Sequence, residues 1–246
     1  MFLRLPFYIA NFLAGFVSTQ SKRHVLRGHI NAFFYTPMMM RIVKRIYGEK
    51  TKTVKFVRQH TPSRVVCVVN DKYFIKIFKH DLGKRLKNFE FLVNYAHDHM
   101  NVNIPRVHVL ENNHGYVTEL IDGRDIYSFD SQFVLKNEEK ILQQVVKIIA
   151  QGQSIDVHNF LNPERFSVAL ESPGKNIKAE PITSDSVLLH GDLNLRNFLF
   201  DDDLNIVGLI DFDGMRITND KDKDIQNFMK YWNRYKENAK KQTPLK

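Results

Sequence analysis

One stretch restricts the fold more than any other. A short apolar run, Val187–His190, leads into the polar loop Gly191-Asp192-Leu193-Asn194-Leu195-Arg196-Asn197. Two further apolar runs follow, Phe198–Phe200 and Ile206–Ile210, around Asp201-Asp202-Asp203. Apolar runs flanking an Asp-rich turn predict a hairpin. A hairpin would return Asp211, 14 residues beyond Asn197, to a place beside it. An amide oxygen and a carboxylate so placed, with few other protein ligands, suit Mg²⁺. That ion prefers one or two carboxylates plus phosphates and waters over a full protein cage. Asp192, five residues before Asn197, can then stay off the metal and accept a proton from an incoming hydroxyl.

The rest of the chain supplies two differently patterned parts. Thr53–Val57, Arg64–Val69 and Tyr73–Phe78 are β-branched or aromatic runs separated by Thr61-Pro62-Ser63 and Asn70-Asp71. They predict an antiparallel meander. Leu86, Phe89, Leu92, Val93, Ala96 and Met100 recur at helical spacing and predict a helix over 84–100. Strands over 106–110 and 115–120 come next, and Ile121-Asp122-Gly123 breaks the pattern. Beyond it, Asn137 can cap a helix running to about Ala150, residues 171–186 read as a loop, and a final helix carries Ile225, Phe228, Met229, Trp232 and Tyr235. The expected divisions are 1–50, 51–121 and 122–246.

Charge separates the first of these from the rest. The formal net charge is +9, yet residues 1–60 hold eleven Lys and Arg against Glu49 alone, while residues 61–246 hold 25 basic and 26 acidic residues. A neutral body with a basic arm argues for an anionic surface as partner and against nucleic acid. Residues 1–18 are apolar and aromatic, but Pro6 and Asn11 interrupt them and no small-residue cleavage site follows. The run is too short to span a bilayer, so an interfacial helix fits best. A helix packed on the body and a signal anchor are the alternatives. Residues 38–47 (MMMRIVKRIY) repeat the mixture of apolar and basic residues and suit a lipid or partner surface. A lone cysteine, Cys67 in an apolar run, excludes a disulfide framework and a thiolate zinc site. The compartment expected is the cytoplasm, with a peripheral position on the inner face of the membrane. The 43% hydrophobic content excludes disorder throughout.

The motif His190-Gly191-Asp192-x-x-x-x-Asn197 followed by Ile210-Asp211-Phe212-Asp213 resembles the catalytic core of the protein-kinase-like superfamily. It looks most like the aminoglycoside phosphotransferase, choline kinase and lipopolysaccharide-core (Kdo or heptose) kinase branches. Gly191 stands where protein kinases carry Arg, and Asp213 where they carry Gly. The resemblance implies an α+β, two-lobed protein-kinase-like fold. A small antiparallel-sheet N-lobe and a compact, mainly helical C-lobe would follow the basic apolar arm. It also implies ATP and Mg²⁺ as cofactors, Asp192 as catalytic base, and Asn197 and Asp211 as metal ligands. His190 would support the loop. Lys76, on the third strand, would hold the α/β-phosphates, steadied by Glu90. Backbone groups near Glu119 and Ile121 would meet the adenine edge. The turn Gln59–Ser63 contains no Gly, a departure from the protein kinases that leaves Thr61, Ser63 and backbone N–H groups to cover the phosphates. Asp224 resembles a late Asp of the aminoglycoside-kinase pattern and could cap the last helix.

The acceptor is less constrained. Arg196, inside the catalytic loop, and Arg216, three residues past Asp213, could bind a sugar carboxylate or phosphate. They could equally be ion-paired to Asp213, Asp220 or Asp222. The expected reaction is phosphorylation of a sugar hydroxyl on a cell-surface glycan such as lipopolysaccharide core. A soluble kinase of choline or an aminoglycoside is the alternative, with Asp156, Glu164 and Trp232 available to a cationic acceptor. A kinase-shaped binding module without turnover is a third reading. His97-Asp98-His99 lies at a helix end without a third ligand and reads as solvated surface.

Overall fold

A computed structural model describes residues 9, 20–57, 64–111, 113–160, 170 and 181–242. The Gln59–Ser63 turn, Glu164 and nearly all of residues 1–18 lie outside the described residues. The chain forms two compact units. One comprises Met1–Lys87 with Val107–Leu120; the other comprises Asn88–Arg106 with Ile121–Lys246.

The first unit is a five-stranded antiparallel sheet with a helix on it. The strands are β1 (Val54–Phe56), β2 (Arg64–Val69), β3 (Tyr73–Phe78), β4 (Val107–Val109) and β5 (Gly115–Glu119), in the order β1-β2-β3-β5-β4. The three runs expected as a meander pair as expected, with Cys67 opposite Ile75 and Lys76 opposite both Val66 and Tyr116. Asn70 and Asp71 both take positive φ (56° and 53°), as a tight turn between twisted strands demands. Burial pushes the Cys67 thiol up to about 12, so it stays neutral and inert.

Helix α1 spans Gln20–Tyr47 and contains Pro37. Tyr35, Met39 and Val43 recur every fourth residue and are buried against Val65, Cys67, Val69, Ile75, Ile77 and Val117. Met38, Ile42 and Ile46 pack around them. Residues 38–47, read as a lipid or partner surface, are thus divided: Met39 and Val43 face inward, while Met40, Arg41 and Lys44 are exposed. Most of their apolar side chains cover the chain's own sheet, because a sheet face so rich in Val and Ile must be shielded from water. The helix stops where Gly48 turns left-handed (φ 69°) and its N–H bonds the Lys44 carbonyl. In the last position before that stop, Tyr47 stacks on Tyr73, with ring centroids 4.0 Å apart. Glu49 accepts hydrogen bonds from the Tyr73 hydroxyl (2.7 Å) and from Lys72 (2.8 Å).

The second unit contains most of α2 (Lys84–His99), then α3 (Ser131–Lys136), α4 (Glu138–Gln153) and α5 (Lys223–Gln242). It also holds two small two-stranded antiparallel sheets. One pairs β6 (Val187–Leu189) with β9 (Arg216–Thr218), and the other pairs β7 (Phe198–Phe200) with β8 (Ile206–Leu209). Helix α4 presents Ile141, Val145 and Ile148 to the core, and α5 presents Phe228, Trp232, Tyr235 and Ala239. Asn137 sits at the start of α4 but does not cap it with its side chain, which donates instead to the Phe133 carbonyl. The short helix α3, absent from the sequence reading, supplies that carbonyl. His97, Asp98 and His99 are engaged locally. The two rings meet the carbonyls of Ile104 and Tyr95, and Asp98 pairs with Arg106.

Helices α4 and α5 are joined by one polar knot. Glu138 accepts from the Trp232 indole N–H (2.9 Å) and from Lys236 (2.7 Å), and both bonds hold its carboxyl below the usual range. A depressed carboxyl contributes stability above its unfolded-state pKa, and that contribution is lost as pH falls through the folded value. Glu138→Gln should therefore cost about 1 kcal/mol at neutral pH. The gap from wild type should close in denaturation curves taken toward pH 3. In the first unit, Met39→Ala should lower unfolding free energy by about 2–4 kcal/mol, read from the denaturant midpoint.

Candidate active site

The site is built in the second unit, where β6 runs out into the loop His190–Asn197. Gly191 takes φ 84°, a conformation that L side chains rarely adopt. A Cβ at that position would also overlap the carbonyl oxygen of Gly214. Hence only glycine fits between His190 and Asp192 in this packing.

Three side chains pin the loop. Asp224, in the first turn of α5 and 3% exposed, accepts from the backbone N–H groups of His190 (2.7 Å) and Gly191 (2.9 Å). Asp224 thus serves the loop as its acceptor. His190 donates from Nε2 to the Ile210 carbonyl (2.9 Å), which leaves Nδ1 facing the Asp192 N–H at 3.4 Å. Asn194 accepts from the Arg196 N–H (2.9 Å), capping the short turn Leu195–Asn197, and donates to the Asp192 carbonyl (3.2 Å).

The hairpin expected from the sequence closes as anticipated. Phe198 pairs with Leu209, and the Ile210 N–H donates to the Asn197 carbonyl (2.9 Å), bringing Asp211 one residue from that bond. Asp201 organises the turn, accepting from the N–H groups of Asp203 and Asn205. Asp211 itself is left-handed (φ 61°, ψ 56°). Such a conformation costs a non-glycine residue about 1 kcal/mol or more and persists only where its neighbours enforce it. Here both backbone groups of Ile210 are already held, by Asn197 and His190.

Asn197 is 4% exposed and donates Nδ2 to the Asp192 carbonyl (2.8 Å). That bond fixes the amide orientation and leaves Oδ1 as its oxygen for a cation. Burial raises the Asp192 carboxyl above its ordinary pKa, opposed by His190 and Asn194 and reinforced by the negative charges of Asp211 and Asp213. Those influences place Asp192, Asp211 and Asp213 in one electrostatic neighbourhood. Among the described residues no group of three His, Cys, Asp or Glu side chains could hold a metal by itself. One amide oxygen and one carboxylate nevertheless match an ion that takes its other ligands from phosphate and water.

The remaining candidates fall in both units. Lys76 lies on β3 in the first unit, 3% exposed, with its ammonium 5.6 Å from the Tyr116 ring centroid. Glu119 ends β5 and is exposed. Glu90 lies on the α2 portion of the second unit, and Ile121, in the same unit, packs against Gly208. Arg196 stacks over the Tyr127 ring (4.3 Å) and reaches Asp125 (3.4 Å), a different acid from the three considered as partners. Arg216 begins β9, opposite Leu189. Trp232, a candidate for a cationic acceptor pocket, is fully buried with its indole on Glu138. The Asp156 carboxylate caps the turn Val157–Asn159. Sequence reasoning missed Asn194 and Tyr127. Asn194 carried a readable signal, an Asx-type cap immediately before a short turn.

The model of a phosphotransferase enzyme family matches residues 168–219, which include the loop and the hairpin. No curated protein sequence matches the chain. Among solved structures, the GDP complex of wild-type aminoglycoside 2'-phosphotransferase-IIIa superposes with a TM-score of 0.58 at 14% identity, over 85% of this chain and 81% of that one. The streptomycin–ATP–APH(2")-IIa ternary complex gives 0.58 at 13% identity, over 85% and 84%. The apoenzyme of macrolide 2'-phosphotransferase MphH from Brachybacterium faecium gives 0.54 at 14%, over 82% of each chain. The fold is therefore protein-kinase-like, of the kind found in the aminoglycoside phosphotransferase branch.

Asp224→Asn would swap one of the two acceptor oxygens for an amide N–H facing a backbone donor. We expect phosphoryl transfer to fall about 10- to 100-fold through kcat, with KM for nucleotide little changed, in steady-state assays.

Proposed function

We propose that the protein is an ATP- and Mg²⁺-dependent phosphotransferase acting on a hydroxyl of a sugar in a cell-surface glycan such as lipopolysaccharide core. The observation that carries the reading is the Asp192 carboxylate. It is partly desolvated, and its loop is tied through Asn197 to the chain just after β8 that leads into Asp211. The match of residues 168–219 to a phosphotransferase family model supports it.

The acceptor hydroxyl is oriented by Asp192, which takes its proton as the oxygen bonds to the γ-phosphorus. The bond from that phosphorus to the bridging oxygen breaks, and the electron pair leaves with ADP. Asn197 Oδ1 and the Asp211 carboxylate would hold Mg²⁺, which neutralises charge on the phosphates when bound. Lys76, with Glu90 to steady it, is assigned to the α/β-phosphates, and backbone near Glu119 and Ile121 to the adenine edge. Desolvation of Asp192 serves the chemistry, since it makes the carboxylate a better proton acceptor near neutral pH.

Arg196 supports an anionic acceptor. Its guanidinium is held by Asp125 and Tyr127 yet remains 65% exposed. Arg216 is the second candidate for that role. The cationic alternative draws on the solved streptomycin, gentamicin and kanamycin complexes of proteins with this fold. It loses Trp232 and gains nothing from Asp156, as described above.

Asp192→Asn should abolish transfer, by at least about a thousandfold, while nucleotide binding by calorimetry stays intact. A panel of purified glycolipid cores, choline and aminoglycosides, assayed with ATP and Mg²⁺, tests the acceptor. Turnover of aminoglycoside or choline alone would reject the glycan reading, and an Asp192→Asn enzyme as fast as wild type would reject the phosphotransferase.

A further inference from the structure

The inner side of α1 is spent on the sheet, but its outer side is not. Tyr35, Met39 and Val43 define the inner side. On the opposite side, at three- and four-residue steps, lie Phe33, Pro37, Met40 and Lys44, flanked by Phe34 and Arg41. Phe33 is 78% exposed, Met40 44% and Phe34 38%, and Pro37, Arg41 and Lys44 are exposed as well. Ile30 and Leu26 continue the stripe one and two turns earlier and are partly exposed. A phenylalanine left three-quarters in water on a helix otherwise well supplied with polar residues asks for a partner.

We propose that this outer face of α1 docks on an anionic bilayer surface, with Phe33 and Met40 entering the headgroup–acyl boundary and Arg41 and Lys44 meeting lipid phosphates. Charge complementarity selects the occupant. The chain has seven Lys and Arg before residue 49 and no Asp or Glu among them. Each basic residue near such a surface adds about 1 kcal/mol of attraction. The face is a helix flank with single protruding apolar side chains, suited to shallow insertion in the plane of the interface. No described helix is long and apolar enough to cross a membrane, so attachment through α1 is of this lying-on kind. The inference rests on none of the phosphoryl-transfer chemistry and concerns where the chain works.

The test is co-sedimentation of the full chain with vesicles of phosphatidylethanolamine and phosphatidylglycerol, against vesicles of phosphatidylcholine. Anionic vesicles should bind it, neutral ones should bind it at least about tenfold more weakly, and added salt should release it. Two double variants, Phe33→Ser with Met40→Ser and Arg41→Glu with Lys44→Glu, should each lower the partition coefficient about tenfold or more. Both alter exposed side chains, so their thermal midpoints should match wild type. Equal binding of either variant would overturn the proposal, because attachment would then lie elsewhere in the chain. Equal binding to both vesicle types would overturn it too. So would a wild-type dimer in sedimentation equilibrium that Phe33→Ser with Met40→Ser makes monomeric, since the face would then be covered by a second copy.

Discussion

The contact on which the site depends is a carboxylate against two backbone N–H groups. Asp224 accepts from His190 and Gly191 at 2.7 and 2.9 Å, in a position almost closed to solvent. A buried charge is tolerated only where hydrogen bonds replace its lost hydration, and charge-assisted bonds of this kind are stronger than neutral ones. The consequence is mechanical. Asp224 belongs to α5, and α5 is itself anchored by Phe228 and Trp232 in the core. The loop that carries Asp192 is therefore referenced to a packed helix and not only to its own short strand. A three-residue strand such as β6 could not hold that loop alone.

Two backbone distortions follow from the same anchoring. Gly191 must be left-handed for its N–H and that of His190 to face one carboxylate while the chain passes against Gly214. Asp211 must be left-handed for the chain to leave β8 and enter the turn Phe212–Gly214 at once. The first distortion is relieved by having no Cβ; the second is endured by an Asp. The strain at Asp211 is maintained by its surroundings, since Asn197 and His190 hold Ile210 at both backbone groups.

Much of this was legible in the sequence, and unevenly so. The hairpin Phe198–Leu209 and the meander β1–β3 follow from local signals, turn residues between β-branched runs, so their reading needed no tertiary information. Asp192, Asn197 and Asp211 were visible because the chain itself brings them together within one loop and one hairpin. Helix α1 was harder. Pro37 interrupts its pattern, its first turn contains no acidic residue, and its basic residues resemble those of a lipid-facing helix. Which side faces the sheet depends on the spacing of Tyr35, Met39 and Val43 relative to a surface that the sequence does not display. Tyr127 beside Arg196 is a long-range pairing, 69 positions apart, of the kind no local pattern reports.

Arg196 illustrates why ion pairing and ligand binding need not exclude one another. An arginine with a full set of close, buried acids would have its donors occupied and would be structural. Arg196 has one acid at 3.4 Å and a ring face at 4.3 Å, which restrict the rotamers of the side chain and leave most of the guanidinium edge to solvent. A fork so oriented has less rotamer entropy to lose when it meets a carboxylate or phosphate. An anionic acceptor would find there a donor already aimed, close in sequence to Asp192. A cationic acceptor would find the same guanidinium repelling it. The fold beneath that arginine is shared with proteins solved with streptomycin and gentamicin bound, so a difference in acceptor charge would be decided by such side chains and not by the fold.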